Sequence, residues 1–300
     1  MAVQQYPVYD CLSHTTPSMN KMKPLFACCL VIFLLSSCTR YAYYQSPLQA
    51  NTQGYKAIPL HQEGVASATY ASGGFTAGGA NELLSDGVWA FLGGLHRSHN
   101  FGHFQAYYGL TGSLGSYTVK EVTQSESNVY FNRNLNDSLI SQLAGHKFFG
   151  TWGANAGINL VLPFDNGGEW RAVGGEVSWN NEFGDYLRFR QKLPDTAANL
   201  IDRNRQYFTL SLTTDLILPI KDGSVGFKFS FSGSPRTFNG YNKNRIPTTY
   251  SPAYFSQTYH VTKNMVTGYL QLNTGTKAMN IQLGANVRLG PSQQIKKAGR

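Results

Sequence analysis

Charge is scarce in this 300-residue chain, with Asp, Glu, Lys and Arg making up 14% of it, against about 25% in an ordinary soluble domain. Cysteine is scarcer: Cys11, Cys28, Cys29 and Cys38 are the four, and all lie in the first 38 positions. The body therefore holds no pair that a disulfide could staple. No apolar run approaches the roughly 20 residues that a spanning helix needs, which excludes a multi-span helical membrane protein. G-x-S-x-G, H-E-x-x-H and the P-loop are absent. No Lys/Arg cluster or recognition motif points to nucleic acid, so none is expected as a partner. Against these absences stand 31 Gly, 18 Phe, 18 Tyr and 4 Trp. So many aromatics exclude disorder and leave an aromatic- and Gly-rich β protein.

The N-terminus reads as a targeting segment. Lys21 and Lys23 precede an apolar run from Pro24 to Leu35, followed by Ser36, Ser37 and Cys38. A basic flank, a 12-residue apolar stretch and small residues before a cut describe a secretory signal. Leu35-Ser36-Ser37-Cys38 resembles the lipobox of bacterial lipoproteins, which implies cleavage before Cys38 and acylation, including palmitate, of that residue. Residues Met1 to Asn20 are unlike the start of a signal, which makes Met22, or Met19, the expected start. Loss of residues 1–37 removes Lys21, Lys23 and Asp10, so the formal charge falls from +9 to +8. Thr39 follows Cys38, where many inner-membrane lipoproteins carry Asp, so the outer membrane of a bacterial envelope is the expected location.

Tyr41 to Leu60, punctuated by Pro47, Gly54 and Pro59, reads as an irregular tether within a lipidated segment 38–63. Beyond it the chain alternates with period two, as strands with one apolar and one polar face do. Phe104, Ala106, Tyr108, Leu110 and Leu114 oppose Gln105, Tyr107, Thr111 and Ser113. Phe148, Trp152, Ile158 and Leu160 oppose Thr151, Asn155 and Asn159, and Phe208, Leu210, Leu212 and Leu216 oppose Thr209, Ser211, Thr213 and Asp215. Many runs exceed the ~5–6 residues of a soluble strand and reach the ~9–11 of a tilted transmembrane strand. A soluble β-sandwich with one wet face per sheet is the competing reading.

Strands are expected near 64–72, 87–97, 103–119, 147–162, 169–189, 205–220, 224–234, 252–262, 265–274 and 279–289. Long connections at 73–86, 120–146 and 190–204 alternate with short ones at His99-Asn100, 165–168 and 221–223, as in barrels with short periplasmic turns and longer external loops. The expectation is an all-β, antiparallel up-and-down barrel over 64–290, followed by a basic tail 291–300. Ten strands give the even number that bacterial single-chain barrels have; eight also fit.

Cys38-Thr39-Arg40, Asn51, Ile58-Pro59-Leu60 and Glu63-Gly64 resemble the start of small outer-membrane β-barrel lipoproteins. The resemblance could span residues 38–289 and implies a lipid-anchored barrel with outer-membrane lipid as its partner. The chain departs from barrels that end on an aromatic strand, since it closes on Leu289-Gly290 and a basic tail.

Candidate chemistry is sparse. His96, His99 and His103 cluster near one turn and are weak candidates for zinc or copper; solvated turn residues are the simpler reading, and no metal or other cofactor is expected. His146 and His260 with Ser178 or Ser211 have no spacing that supports a nucleophilic site, so no catalytic residue and no enzyme activity are expected. Glu176, Glu182, Asp215, Lys228 and Arg288 lie on the polar faces of separate strands, which in a barrel converge on the lumen. They would line a narrow pore or form a salt-bridged filling. The expected role is structural or surface-interacting, with Asn128 to Asn136 and Phe238 to Tyr254 in the contact loops and the extracellular or periplasmic partner unspecified. The alternative is a barrel that binds a small ligand or forms a narrow pore. A membrane barrel turns Phe227, Phe229 and Phe231 outward and Lys228 inward; an apolar ligand barrel inverts them.

Overall fold

The computed structural model describes residues 43–81, 84–120, 144–194, 198, 200–241 and 247–294. Cys38, the signal segment, the loop Asn128 to Asn136 and residues 295–300 lie outside them. In chain order the elements are β1 (Tyr43–Tyr44), a 3-10 turn at His61–Glu63, β2 (Val65–Ala80), β3 (Asp86–Phe101), β4 (Phe104–Val119), β5 (Gly145–Pro163) and β6 (Glu169–Gly184). They continue with α1 (Asp185–Lys192), β7 (Leu200–Ile201), β8 (Gln206–Ile220), β9 (Gly223–Gly233), β10 (Phe238–Tyr241), β11 (Pro247–Tyr250), β12 (Ala253–Lys263), β13 (Val266–Gly275) and β14 (Ala278–Gln294).

Ten of the strands close a barrel in the order β12-β13-β14-β2-β3-β4-β5-β6-β8-β9, with β9 paired back to β12. Every neighbour is antiparallel. The first and last barrel strands pair from Ala80 with Ala278 down to Thr69 with Leu289, so no edge is left open.

The alternation seen in sequence decides the two surfaces. Leu110 and Leu212 are each 66% exposed on the outside, whereas Gln105 and Asn286 are 0% exposed within. Phe227 and Phe229 lie half-buried in the outer aromatic row with Tyr259 and Phe255, and Phe231 is exposed. Lys228 points inward over the ring of Tyr55. The apolar-lumen alternative required the opposite arrangement.

Several boundaries depart from the sequence reading, and the first short turn, expected at His99-Asn100, lies at 102–103 because β3 runs on to Phe101. The stretch 73–80 is strand, not loop, because its glycines make room for packing. Gly74 and Gly284 face the Tyr269 hydroxyl, which would stand 2.9 and 2.5 Å from a Cβ at those positions. The same device seats Tyr107 over Gly157 and His260 over Gly226. At the other end β14 runs on to Gln294 through register shifts after Leu289, taking in residues expected as tail.

The connections sort by side. At one mouth lie 102–103, 164–168, 221–222 and 264–265, all short. At the other lie 81–85 and 276–277 with the long connections 120–144, 185–205 and 234–252. The middle one carries α1, whose Tyr186, Leu187, Phe189 and Arg190 are buried against the barrel end. The strand expected as far as 189 stops at Gly184, where φ of 114° is a conformation that glycine adopts without a Cβ penalty.

Candidate functional site

The segment expected as a tether occupies the lumen. Tyr43 and Tyr44 sit at the long-loop mouth. There β1 pairs in parallel with β7, the Tyr43 amide donates to Asn81 Oδ1 at 2.8 Å, and the Tyr44 ring meets Phe189 edge-on at 5.2 Å. Leu48 to Asn51 are at most 1% exposed. The chain then descends. Asn51 Nδ2 donates to Asn280 at 3.3 Å, Gln271 Nε2 donates to Thr52 Oγ1 at 3.0 Å, and Gln53 Nε2 donates to Asn180 at 2.9 Å. The Gly54 amide donates to Gln282 at 3.0 Å. At the short-turn mouth the His61 amide donates to Glu169 at 2.9 Å, and Arg288 bonds Glu63 at 2.5 Å.

Residues 43–63 thus run through the barrel from mouth to mouth. Their composition explains why. Pro47 and Pro59 lack the amide proton that a strand ladder needs, which keeps the segment out of the wall. Within the segment Asn51 donates to Asn280, and Thr52 accepts from Gln271 and Gln282 of the amide-rich wall, which gives these buried amides partners that they would otherwise lack. Gly54 has φ of 76°, with the Tyr269 hydroxyl 2.5 Å from where a Cβ would stand.

The lower lumen is charged. Arg171 donates to Gln105 at 2.7 Å, to Asp215 and the Tyr55 hydroxyl at 3.1 Å each, and to the Ile58 carbonyl at 3.0 Å. It pairs with Glu169 at 2.8 Å. His260 Nε2 bonds Asp215 Oδ1 at 3.0 Å and stacks on Tyr55 at 4.1 Å. In the upper lumen Arg190 pairs with Glu182 at 2.6 Å, both 0% exposed, and donates to the Asp202 carbonyl at 2.5 Å. Burial pushes the nearby Tyr186 phenol well above its ordinary pKa, since a phenolate has no water there.

All five lumen candidates are therefore inside, each in its own setting. Glu182 and Asp215 belong to the two ion-pair groups just described. Glu176 accepts from the Tyr107 hydroxyl and faces Lys56 of the threaded segment. Lys228 lies over Tyr55, and Arg288 donates to the Tyr70 hydroxyl at 3.3 Å besides Glu63. The arrangement is a filling held by paired charges rather than an open pore lining. Two cavities beside the threaded segment measure about 20 and 10 Å³, room for about one water each.

Sequence reading missed Arg171, Glu169, Gln105 and Tyr55. The three imidazoles near the first short turn do not converge. His96 points inward, donating to the Ala57 carbonyl at 2.8 Å and stacking on Tyr70. His99 faces outward between Phe101 and Tyr108, and His103 is exposed in the turn. Among the described residues no group of three His, Cys, Asp or Glu could hold a metal. His146 bonds Thr118 near the long-loop mouth, far along the strands from His260, while Ser178 accepts from Asn180 and Ser211 lies on β8, opposite Glu176.

No protein-family model matches the chain, and no curated protein matches it in sequence. Among solved structures it is similar to an outer membrane channel from Pseudomonas putida F1, with 11% identity over 80% of this chain and 100% of that one and a TM-score of 0.37. It is also similar to the translocator domain of the autotransporter NalP from Neisseria meningitidis, at 10% identity over 76% and 90% with a TM-score of 0.34. LpxR from Salmonella typhimurium aligns at 9% identity over 74% and 99%, again with a TM-score of 0.34.

Proposed function

We propose that this chain is an outer-membrane β-barrel lipoprotein whose lumen is closed by its own N-terminal segment, with a structural or surface-interaction role. The observation that carries the reading is the polar wall packed against residues 43–63 along the whole lumen, under an outer surface that is apolar. In hydrocarbon, strands span only when closed, since every backbone group must find a partner within the protein. The outward apolar and inward polar alternation is the pattern of such barrels. A lumen so filled favours contact through the loops over transport. The connections between β4 and β5 and between β9 and β12 are the proposed contact surface for an extracellular or periplasmic partner.

Leu212, on the outer face of β8, tests insertion. Leu212→Arg should destabilise the folded protein by about 2–4 kcal/mol if the residue lies near the bilayer midplane. The effect is read as a lower temperature for loss of the fast-migrating folded band on a gel. An unchanged temperature would refute a lipid-facing β8.

Cys38 tests the anchor. Cys38→Ala should abolish labelling by radioactive palmitate while the folded band survives, because among the described residues the segment is held from Tyr43 onward by bonds that do not use Cys38. An unmodified mature N-terminus in the mass spectrum of the wild-type protein would overturn the lipoprotein reading.

A further inference from the structure

Because residues 43–63 pass through the barrel, the chain before them leaves at the long-loop mouth, opposite the short turns from which β2 starts. We propose that the N-terminal anchor lies in the membrane leaflet on the long-loop side, so that the lipid and the long loops share one face; the lipid part rests on the reading of Cys38 given above.

Covalent reach carries the argument. Tyr43 is fixed at that mouth by four neighbours from separate connections. It bonds Asn81 at 2.8 Å and pairs with Leu200, its ring meets Tyr250 at 6.0 Å, and Lys277 lies over it at 4.5 Å. Five peptide steps separate Cys38 from Tyr43, and five residues extend at most ~18 Å. The 16-residue strands of the wall, at ~3.3 Å per residue and ~40° of tilt, set the two mouths about 40 Å apart. An acyl group on Cys38 can reach the near leaflet but not the far one. A lipoprotein whose tether hung free from β2 would do the reverse, with its lipid beside the short turns.

The experiment compares sidedness within one protein, so it needs no assumption about which mouth faces outward. In the full-length chain, Arg40→Cys, Lys192→Cys and Asp222→Cys are introduced singly. Intact and permeabilised cells are then exposed to a membrane-impermeant maleimide. Lys192 lies at the end of α1 by the long-loop mouth, and Asp222 in a short turn. Arg40→Cys should label under the same condition as Lys192→Cys and the opposite condition to Asp222→Cys. Labelling of Arg40→Cys together with Asp222→Cys overturns the proposal. Where a variant shows no folded band, an epitope inserted at the same point and read by protease loss replaces it. The mass of the N-terminal peptide separates the two readings. An unacylated peptide refutes the lipid, while the labelling pattern alone supports or refutes emergence at the long-loop mouth.

Discussion

Arg171→Met should be the most damaging single substitution in the lumen, lowering stability by about 3–5 kcal/mol, because removing one partner of a buried ion pair leaves uncompensated charge. Arg171 serves Glu169, Asp215, Gln105, Tyr55 and the Ile58 carbonyl at once, so its loss strips both the wall and the threaded segment. The readout is the temperature at which the folded band disappears on a gel. The companion triple variant Arg171→Met, Glu169→Gln, Asp215→Asn should recover much of the loss. Neutral side chains need no counter-charge, and replacing all partners together costs far less than orphaning some. A triple variant as unstable as the single one would show that charge is not what the network stabilises.

Removing the threaded segment should change the barrel from closed to conducting. Deletion of residues 43–60 leaves Glu169, Arg171, Asp215 and the amide wall facing an empty lumen, and a ten-stranded barrel is narrow but wider than the eight-stranded kind that side chains alone can fill. In planar lipid bilayers the full-length protein should give no current steps, and the deletion should give discrete ones. Equal conductance from both proteins would mean that the segment does not seal the lumen in the membrane. If the deletion does not fold, locking serves instead. A Thr52→Cys, Gln271→Cys pair replaces two hydrogen-bonded side chains, and because the Gln271 amide spans the gap, a short linker reactive at both thiols is used rather than a direct disulfide. Linkage should yield a segment that stays attached to the barrel in denaturant after cleavage between them, which a free segment would not.

The barrel was readable in the sequence because period two follows from two unlike faces of the wall, apolar outside and polar toward the filled lumen. β12 and β13 fall within one residue of their expected places. Glycine misled at β2. Gly73, Gly74, Gly78 and Gly79 look like a loop to any rule based on local preference, whereas Gly74 and Gly78 are close-approach sites answering to Tyr269 on β13 and to the backbone of β14, neither of which is local. Arg171 was hidden by phase. The register shift between Arg171 and Gly174 reverses the alternation, so Arg171 faces in although Val173, two positions on, faces out. A bulge inserts one residue and turns every later position of the strand to the other face. The run Glu169-Trp170-Arg171, charged on both sides of an aromatic, carried that signal on its own. The five lumen candidates were legible because they stand in regular stretches of strand. The threaded segment was not, since no periodicity marks a chain whose partners are spread over the whole inner wall.

The threading also fixes an order of assembly. The seam that completes the ring joins residues of β2 to residues of β14 some two hundred positions later, so it forms only when the whole chain is present. Contacts so distant in sequence are slow to make. Once made, they encircle a segment that is itself bonded to β14 through Asn280 and Gln282. The N-terminal segment must be in place when the ring shuts, or else be drawn through a passage that it fills. It is thus the template on which the last strand lands, and extracting it afterwards means reopening the seam. Persistence of the finished molecule would then be set by the rate of that opening.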